Sequence, residues 1–468
     1  PLQKFCQRFN WPQMETRSAG LARLARWESL LLFAVPVLIL ILAELATGRL
    51  GAPLSLARIM MFLTPVLILS LTLAAHAVRE DSAIYTLFAG LLLNLTITFG
   101  CSLRPGIDLI TIIQANIITS ALVSLAWLAA RTRFRWNNSE TASAPGVILQ
   151  TQVVVTLAAS LTLLAAAALR IAVDPAVPSQ MAAAIGNGWG WLAVSLSAVA
   201  WLSLRRQQFG SQLAKLNFDH FGVGLLALAS LVVCSLSRVV DGWASYHALL
   251  IGVGAAAWLL FAVRRIELRR LPVENREVAT AWALGLGLAQ LAMTWRGIEA
   301  PNSLWWTVGS YAALSLLFGW MAVSLRRRSL VYLSAPLWNL IVWPLFARRF
   351  DVLDHLFEFV AVNVIVLSLT SLVWLWLDLK KMRPAVGRHP FHRQTILLTL
   401  PTILLGGGFH WSVGHVWQGH QQARWLTWLA IFSVAALLLT YLWDEYVTVS
   451  LRGLHLIGVV VVLEVCSL

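Results

Sequence analysis

Long apolar runs alternate with short polar clusters along almost the whole chain. A helix that crosses about 30 Å of hydrocarbon needs about 20 apolar residues. Fifteen runs approach this length, at residues 29–47, 54–77, 83–103, 107–130, 147–172, 189–204, 221–237, 244–263, 277–295, 303–325, 329–346, 355–377, 394–409, 425–443 and 447–468. The pattern predicts an all-α, polytopic integral membrane protein with about 15 transmembrane helices.

Composition supports a bilayer environment and argues against a nucleic-acid partner. Of the 468 residues, 59% are hydrophobic and only 12% are charged, whereas about a quarter of the residues in a soluble domain are charged. The net charge of +14 comes from basic residues that lie in short clusters between the apolar runs. Such clusters are typical of membrane topology rather than of a phosphate-binding face. We therefore expect the lipid bilayer, and no nucleic acid, as a partner.

The distribution of basic residues also predicts the orientation of the chain. If the N-terminus is cytoplasmic, cytoplasmic segments hold 25 of the 35 Lys and Arg residues, the opposite loops hold nine, and Arg452 lies inside the last span. Anionic lipids and the membrane potential retain Lys and Arg on the cytoplasmic face. We predict an integral protein of the bacterial inner membrane with a cytoplasmic N-terminus.

The chain resembles itself at an offset of 247 residues in one segment and of 245 in a second. The segment 114–128 aligns with 361–375 at seven identical positions of fifteen, and 88–95 aligns with 333–340. The spans then group in fours at a period of about 120 residues, and an even number of spans gives every group the same orientation. This predicts tandem four-helix parallel repeats. The predicted organisation is a basic segment at 1–28, repeat 1 at 29–135, repeat 2 at 147–265, repeat 3 at 277–380 and an incomplete repeat 4 at 394–468.

Four asparagines lie near the middle of predicted spans. Asn94 and Asn116 belong to neighbouring spans of repeat 1, and Asn339 and Asn363 take the corresponding places in repeat 3. An amide in hydrocarbon needs a partner, and a second amide both donates and accepts hydrogen bonds. The favoured interpretation is a structural polar clamp between helices, and the alternative is the lining of a path for an ion or solute.

Histidines form two further candidate sites. His355 and Glu358 share a helix face at a spacing of three. They could form a metal or proton site, and the alternative interpretation is a solvated helix end. His410, His415 and His420 lie on the predicted non-cytoplasmic side, in a segment that also carries tryptophans. Their spacing of five prevents all three from sharing one helix face, so a polar or metal cluster there is a weaker hypothesis than an interfacial belt.

Other chemistry is sparse. The four cysteines, Cys6, Cys101, Cys234 and Cys466, are scattered singly, which indicates neither a disulfide framework nor a zinc site. Sequences typical of phosphate-binding loops, zinc proteases and serine hydrolases do not occur. We predict no cofactor. The sequence ends within an apolar run, and we expect the full-length protein to continue past Leu468 with at least one more span.

Three functions fit these observations. The first is a structural or scaffolding subunit of a larger membrane complex, with other membrane protein subunits as partners. The second is a transporter or channel with a polar path between the repeats. The third is a membrane enzyme that uses the non-cytoplasmic histidines. Few ionisable residues lie deep in the spans, whereas coupled transporters usually carry such groups there. The first function is therefore favoured, and an enzyme is disfavoured.

Overall fold

The computed structural model is helical throughout the part of the chain that it describes. It describes residues 56–80, 83–102, 106–134, 144–209, 218–267, 273–300, 303–325, 327, 329–352, 354–377, 429 and 432. About 90% of these residues are helical, and none of them lies in a strand. The protein is therefore all-α over its described part, as the sequence predicts.

Twelve α-helices and one 3-10 turn follow one another along the described ranges. They are α1 (Leu56–Glu80), α2 (Ala83–Ser102), α3 (Leu109–Phe134), α4 (Ala144–Val173), α5 (Gln180–Ile185), α6 (Gly188–Phe209), α7 (Phe218–Leu236), α8 (Gly242–Glu267), α9 (Val273–Arg296), the 3-10 turn Gly297–Glu299, α10 (Leu304–Leu325), α11 (Ser329–Ala347) and α12 (Leu356–Leu377).

Eight of the described helices are long and apolar enough to cross a membrane. The apolar stretches are Tyr85–Ser102, Leu109–Ala130, Val147–Val173, Asp219–Leu236, Gly242–Val263, Glu277–Glu299, Leu304–Leu325 and Ser329–Ala347. Shorter apolar stretches lie in α1 (Leu63–Ala77) and α12 (Glu358–Trp374). The protein is thus an integral membrane protein with several spans. The predicted runs at 29–47, 394–409, 425–443 and 447–468 lie outside the described residues.

The short helix α5 is an element that hydrophobic pattern alone does not predict. It has six residues, and it begins where the Ser179 hydroxyl accepts a hydrogen bond from the backbone N–H of Ala182 at 3.1 Å. Serine is a favoured residue at this position because it satisfies one of the free N–H groups of the first turn. Helix α5 sits in the connection between α4 and α6, and it packs against α3, α4 and α6.

The described residues divide into two compact units. The first compact unit comprises those within 1–173, 178–215 and 230–240, and the second those within 174–177, 216–229 and 241–468. Helix α7 contributes its first half to the second unit and its second half to the first. This division does not follow the bounds of the predicted repeats, which stay a prediction.

In the first compact unit, α3 lies against α2, α4 and α6. Trp127 and Leu128 near its end pack with Leu149, Val153 and other buried residues of α1, α4 and α6. Between α4 and α6, the hydroxyls of Ser160 and Ser197 are hydrogen-bonded at 2.9 Å in a buried position. Small hydroxyl residues at such contacts let membrane helices approach closely and bond to one another.

In the second compact unit, helices α8 to α11 share one core. Alanines of α8 and α9 face large side chains of α10, among them Phe318 and Met321, both fully buried. At Gly287 of α9 the phenyl ring of Phe318 lies so close that an added Cβ would be 2.9 Å from it. Small residues on one helix thus accept aromatic residues from the next, as expected where dispersion forces and close packing hold membrane helices together.

Candidate functional site

The structure places Asn339 of α11 and Asn363 of α12 in direct contact. The side-chain N–H of Asn339 donates to the backbone carbonyl of Asn363 at 2.9 Å and to its amide oxygen at 3.2 Å. Asn363 donates in turn to the carbonyl of Phe359 on its own helix at 2.8 Å. The two predicted residues therefore form one polar contact between neighbouring apolar helices.

Asn94 and Asn116 are each hydrogen-bonded to a hydroxyl rather than to one another. The amide N–H of Asn94 in α2 donates to the Ser120 hydroxyl of α3 at 2.9 Å. The amide N–H of Asn116 in α3 donates to the Thr98 hydroxyl of α2 at 2.8 Å. Each hydroxyl also donates back to the amide oxygen of its partner, at 3.2 Å and 3.1 Å. The four residues form a ladder of two reciprocal pairs.

The two arrangements differ because of the residues one helical turn away from the asparagines. Thr98 follows Asn94 by four residues, and Ser120 follows Asn116 by four, so each helix presents two polar groups on one face. At the aligned places of the predicted repeat 3 stand Trp343 and Leu367, which offer no hydroxyl. The spacing of four between each asparagine and a hydroxyl residue was the sequence signal for the ladder. The position of the asparagines near the middle of the spans did not reveal it.

The candidate pair of His355 and Glu358 also lies together. The His355 Nδ1 and the Glu358 Oε1 are 3.5 Å apart at the start of α12, and both side chains are partly exposed. Within the described ranges, no three His, Cys, Asp or Glu residues come together as metal ligands usually do. The predicted cluster of His410, His415 and His420 lies outside the described residues.

A cleft that was not predicted from sequence opens between α8, α9 and α10 in the second compact unit. Its volume is about 350 Å³, and its walls include Gly254 and Trp258 of α8, Gln290 of α9, and Trp306 and Ser310 of α10. Gln290 is only 4% exposed, and its side-chain oxygen has no hydrogen-bond partner. The side chain lies against Gly254, where an added Cβ would be 2.7 Å from its amide atoms.

Two tryptophans of the cleft wall, Trp258 and Trp306, are stacked on further aromatic rings. The imidazole of His247 is stacked on the indole of Trp306, with ring centres 5.2 Å apart and planes 8° from parallel. Deeper along α8, Trp258 is stacked on Trp320 at 5.4 Å. The Tyr246 hydroxyl donates to the carbonyl of Met293 at 2.5 Å, which ties α8 to the end of α9.

No known family model, curated protein or solved structure matches the chain. The chemistry of the described side chains is therefore the basis for a functional assignment. Among them, none of the Asp, Glu, Lys or Arg side chains is buried, and His247 is the one buried histidine. Buried polar side chains here are mainly hydroxyls and amides. Groups of this kind are suited to fix helices and to bind uncharged molecules through hydrogen bonds.

The cleft had a weak signal in the sequence. In the predicted repeat alignment, His247 and Trp258 correspond to Asn116 and Trp127 and to Asn363 and Trp374. Gln290 is an amide in the apolar run that ends at Arg296, and a buried amide of this kind needs a partner. Its pairing with the α8 face could not be derived, because the rotation of α9 about its axis is set by packing.

Proposed function

We propose that this protein is a structural subunit of a larger membrane complex. The observation that carries the proposal is the use of polar side chains within the spans. Hydrogen bonds of Asn94, Asn116, Asn339 and Asn363 join neighbouring helices. A path for ions or charged solutes would call for ionisable groups facing a cavity, and the described spans have no buried carboxylate or ammonium group.

Exposed tryptophans provide the surface that such a subunit would offer to its partners. Trp295, Trp305 and Trp343 are each at least half exposed at the ends of their helices or close to them. Tryptophan is enriched both at membrane interfaces and in the centres of protein interfaces. Apolar side chains between these ends, such as Leu71 and Leu316, are also exposed and face lipid or partner helices.

The finer architecture in this proposal is a set of about 15 spans in tandem four-helix parallel repeats. A recurring hydrogen bond supports the repeat. The Ser70 hydroxyl of α1 donates to the carbonyl of Ala89 in α2 at 2.7 Å, and the Ser315 hydroxyl of α10 donates to that of Ser334 in α11 at 2.8 Å. Both the donor and the acceptor differ by 245 residues, the offset that also relates Asn94 to Asn339.

A photocrosslinking experiment in native membranes tests the proposal. We expect a benzophenone amino acid at the exposed positions Leu71, Leu316 and Trp343 to attach to one or a few membrane proteins. The same group at the fully buried Leu314 serves as the control and should capture none. The captured protein should also fall in abundance when the gene of this chain is deleted, because subunits without their scaffold are degraded.

Two results would count against a structural subunit. One is a monodisperse single chain in mild detergent whose three outward positions crosslink to lipid alone. The other is an unchanged abundance of every captured protein after the deletion. The first outcome would mean that the chain acts by itself in the membrane, and the second that its neighbours do not depend on it as a scaffold.

Transport is the second candidate, and the unpaired amide oxygen of Gln290 in the cleft is the observation that favours it. The test is swelling of proteoliposomes in glycerol or urea, followed by light scattering. A structural subunit gives no flux above empty liposomes. A transporter gives flux, and Gln290→Leu should then reduce that flux while the purified chain stays assembled.

A further inference from the structure

We propose that the cleft between α8, α9 and α10 binds an uncharged lipid whose hydroxyl group donates a hydrogen bond to Gln290. Such binding would be a role of the second compact unit in addition to a structural one. It rests on the unsatisfied amide, the uncharged lining and the shape of the cleft.

The amide of Gln290 is the polar group that points to a ligand. It is 4% exposed, its oxygen accepts no hydrogen bond, and the residue forms part of the cleft wall. A buried polar atom without a partner is unfavourable, since it has lost its bonds to water without replacement. A hydroxyl that enters the cleft restores the missing bond. Ser310, on the facing helix, lines the same space and offers a second hydroxyl contact.

The lining limits the charge of the ligand. All residues of the cleft wall are uncharged: small aliphatic residues, Ile251, one serine, Gln290 and three tryptophans. A phosphate or ammonium group placed there would lose its hydration without gaining an opposite charge, which is strongly unfavourable. The head group that fits is therefore neutral, as in a diacylglycerol.

The shape of the cleft fits part of a lipid rather than a whole one. Its volume of about 350 Å³ is at the lower end of the range for small-molecule sites. Gly309 leaves room on α10, and Trp305 and Trp306 flank the opening with 70% and 45% of their surfaces exposed. Tryptophan at such a position contacts both an apolar chain and a polar head group.

The test uses the full chain in lipid nanodiscs and a diacylglycerol with a photoreactive diazirine in one acyl chain. Its matched comparison is the same lipid with the free hydroxyl converted to a methyl ether, which cannot donate a hydrogen bond. We expect adducts on the peptides that contain Trp258 and Trp306, and roughly three- to tenfold less labelling with the ether, the range for loss of one hydrogen bond. A photoreactive phosphatidylglycerol should label these peptides no better than the ether.

Two variants separate the cleft from the rest of the lipid-facing surface. Gly309 lines the cleft, and an added Cβ there meets nothing within 4 Å, so we expect Gly309→Leu to place its side chain in the cleft. Gly285 of α9 is equally open but does not line the cleft, and Gly285→Leu is the matched control. We expect Gly309→Leu to remove at least nine-tenths of the labelling and Gly285→Leu to leave it unchanged.

Gln290→Leu tests the hydrogen bond itself. Since the amide oxygen has no partner in the protein, this variant should melt no lower than the unchanged chain, and it should label equally with the hydroxyl lipid and the ether. The proposal is overturned if hydroxyl lipid and ether label the unchanged chain equally, if the adducts survive Gly309→Leu, or if the adducts spread over all lipid-facing helices. A lower melting temperature of Gln290→Leu without any change in labelling would assign Gln290 a purely structural role and also overturn it.

Discussion

At the scale of single residues, the partner of each amide decides how strongly two helices are held. Asn94 and Asn116 each exchange two hydrogen bonds with a hydroxyl. Asn339 instead donates to both the main chain and the side chain of Asn363. The amide N–H groups thus find different partners in the two regions, and the side-chain oxygen of Asn339 stays without a hydrogen bond.

The contact between Asn339 and Asn363 predicts an asymmetry between two variants. Asn339→Leu removes both bonds across the helices and should lower the free energy of unfolding by about 1 kcal/mol. Asn363→Leu leaves the shorter bond, because Asn339 still donates to the backbone carbonyl at 2.9 Å, so we expect a loss below about 0.5 kcal/mol. Steric trapping in detergent micelles measures both values.

The control for this pair is Thr370→Val, which removes a hydroxyl that is bonded only to carbonyls of its own helix. Its effect should be close to zero. If Asn363→Leu is as destabilising as Asn339→Leu, the bond to the main chain is not the stronger of the two, and the assigned geometry is wrong.

The same asparagines show which features of the helix contacts could be predicted from the sequence. The repeat alignment put the four asparagines at corresponding places, and the need of a buried amide for a partner follows from elementary chemistry. Which atoms meet was not derivable, because a shift of one helical turn exchanges Asn116 for Ser120 as the neighbour of Asn94. Side-chain packing sets that shift, and packing is not visible in hydrophobic pattern.

At the scale of elements, the connection between α5 and α6 shows how a glycine fixes a tight turn. Gly186 ends α5 and lies against the backbone of Cys234 in α7, where an added Cβ would overlap the carbonyl group. The Ser235 hydroxyl donates to the carbonyl of Gly186 at 3.1 Å and accepts from the indole N–H of Trp191 at 2.8 Å. The turn is therefore attached to α7 by backbone and side chain together.

Replacement of this glycine should be far more damaging than replacement of its neighbour. Gly186→Ala forces the backbones apart, and overpacking of this kind costs about 1–3 kcal/mol or more. At Gly188 an added Cβ meets nothing within 4 Å, so Gly188→Ala should be neutral or slightly stabilising, since it reduces the freedom of the unfolded chain. Melting temperatures of the two variants in the same detergent provide the comparison. Equal melting temperatures would show that the α7 backbone does not lie this close to the turn.

Helix positions were the most predictable part of the fold, for a physical reason. An apolar run long enough to span the bilayer must satisfy its backbone internally, so the run itself becomes the helix. The predicted spans at 303–325 and 355–377 correspond to α10 and α12 within one residue at each end. The largest difference is in α6, which continues to Phe209 past the predicted end at 204, because helical bonding continues through Arg205 and Arg206. Charged residues end an apolar run without ending a helix.

At the scale of the whole molecule, the open question with the largest consequence is whether α6 crosses the membrane. It has 22 residues, yet three tryptophans and its polar end make it less apolar than its neighbours, and it is not among the eight stretches suited to crossing. The predicted orientation depends on it. Seven helices of more than ten residues, α3, α4 and α6 to α10, separate Asp108 from Arg327. If each of them crosses once, the two residues lie on opposite sides.

Single cysteines at Asp108 and Arg327 test how many of these helices cross the membrane. In a background with all four native cysteines replaced by alanine, we expect Asp108→Cys to react with a membrane-impermeant maleimide added to intact spheroplasts. Arg327→Cys should react only after the membrane is permeabilised, because the basic cluster around it is retained in the cytoplasm. Both side chains are exposed in the structure, so failure to react reports sidedness rather than burial.

A third cysteine, at Val239, shows whether α6 is the helix that does not cross the membrane. Val239 is 86% exposed in the turn between α7 and α8, and α6 and α7 separate it from Val177 in the turn after α4. If α6 crosses, cysteines at both valines react from the same side as Asp108→Cys, since α3 and α4 return the chain to that side. If α6 lies along the membrane surface instead, Val177→Cys still reacts from outside but Val239→Cys does not, and Arg327→Cys joins Asp108→Cys on the outer face. The second outcome would abolish the asymmetry of basic residues from which the orientation was inferred, and with it the four-span period of the repeat.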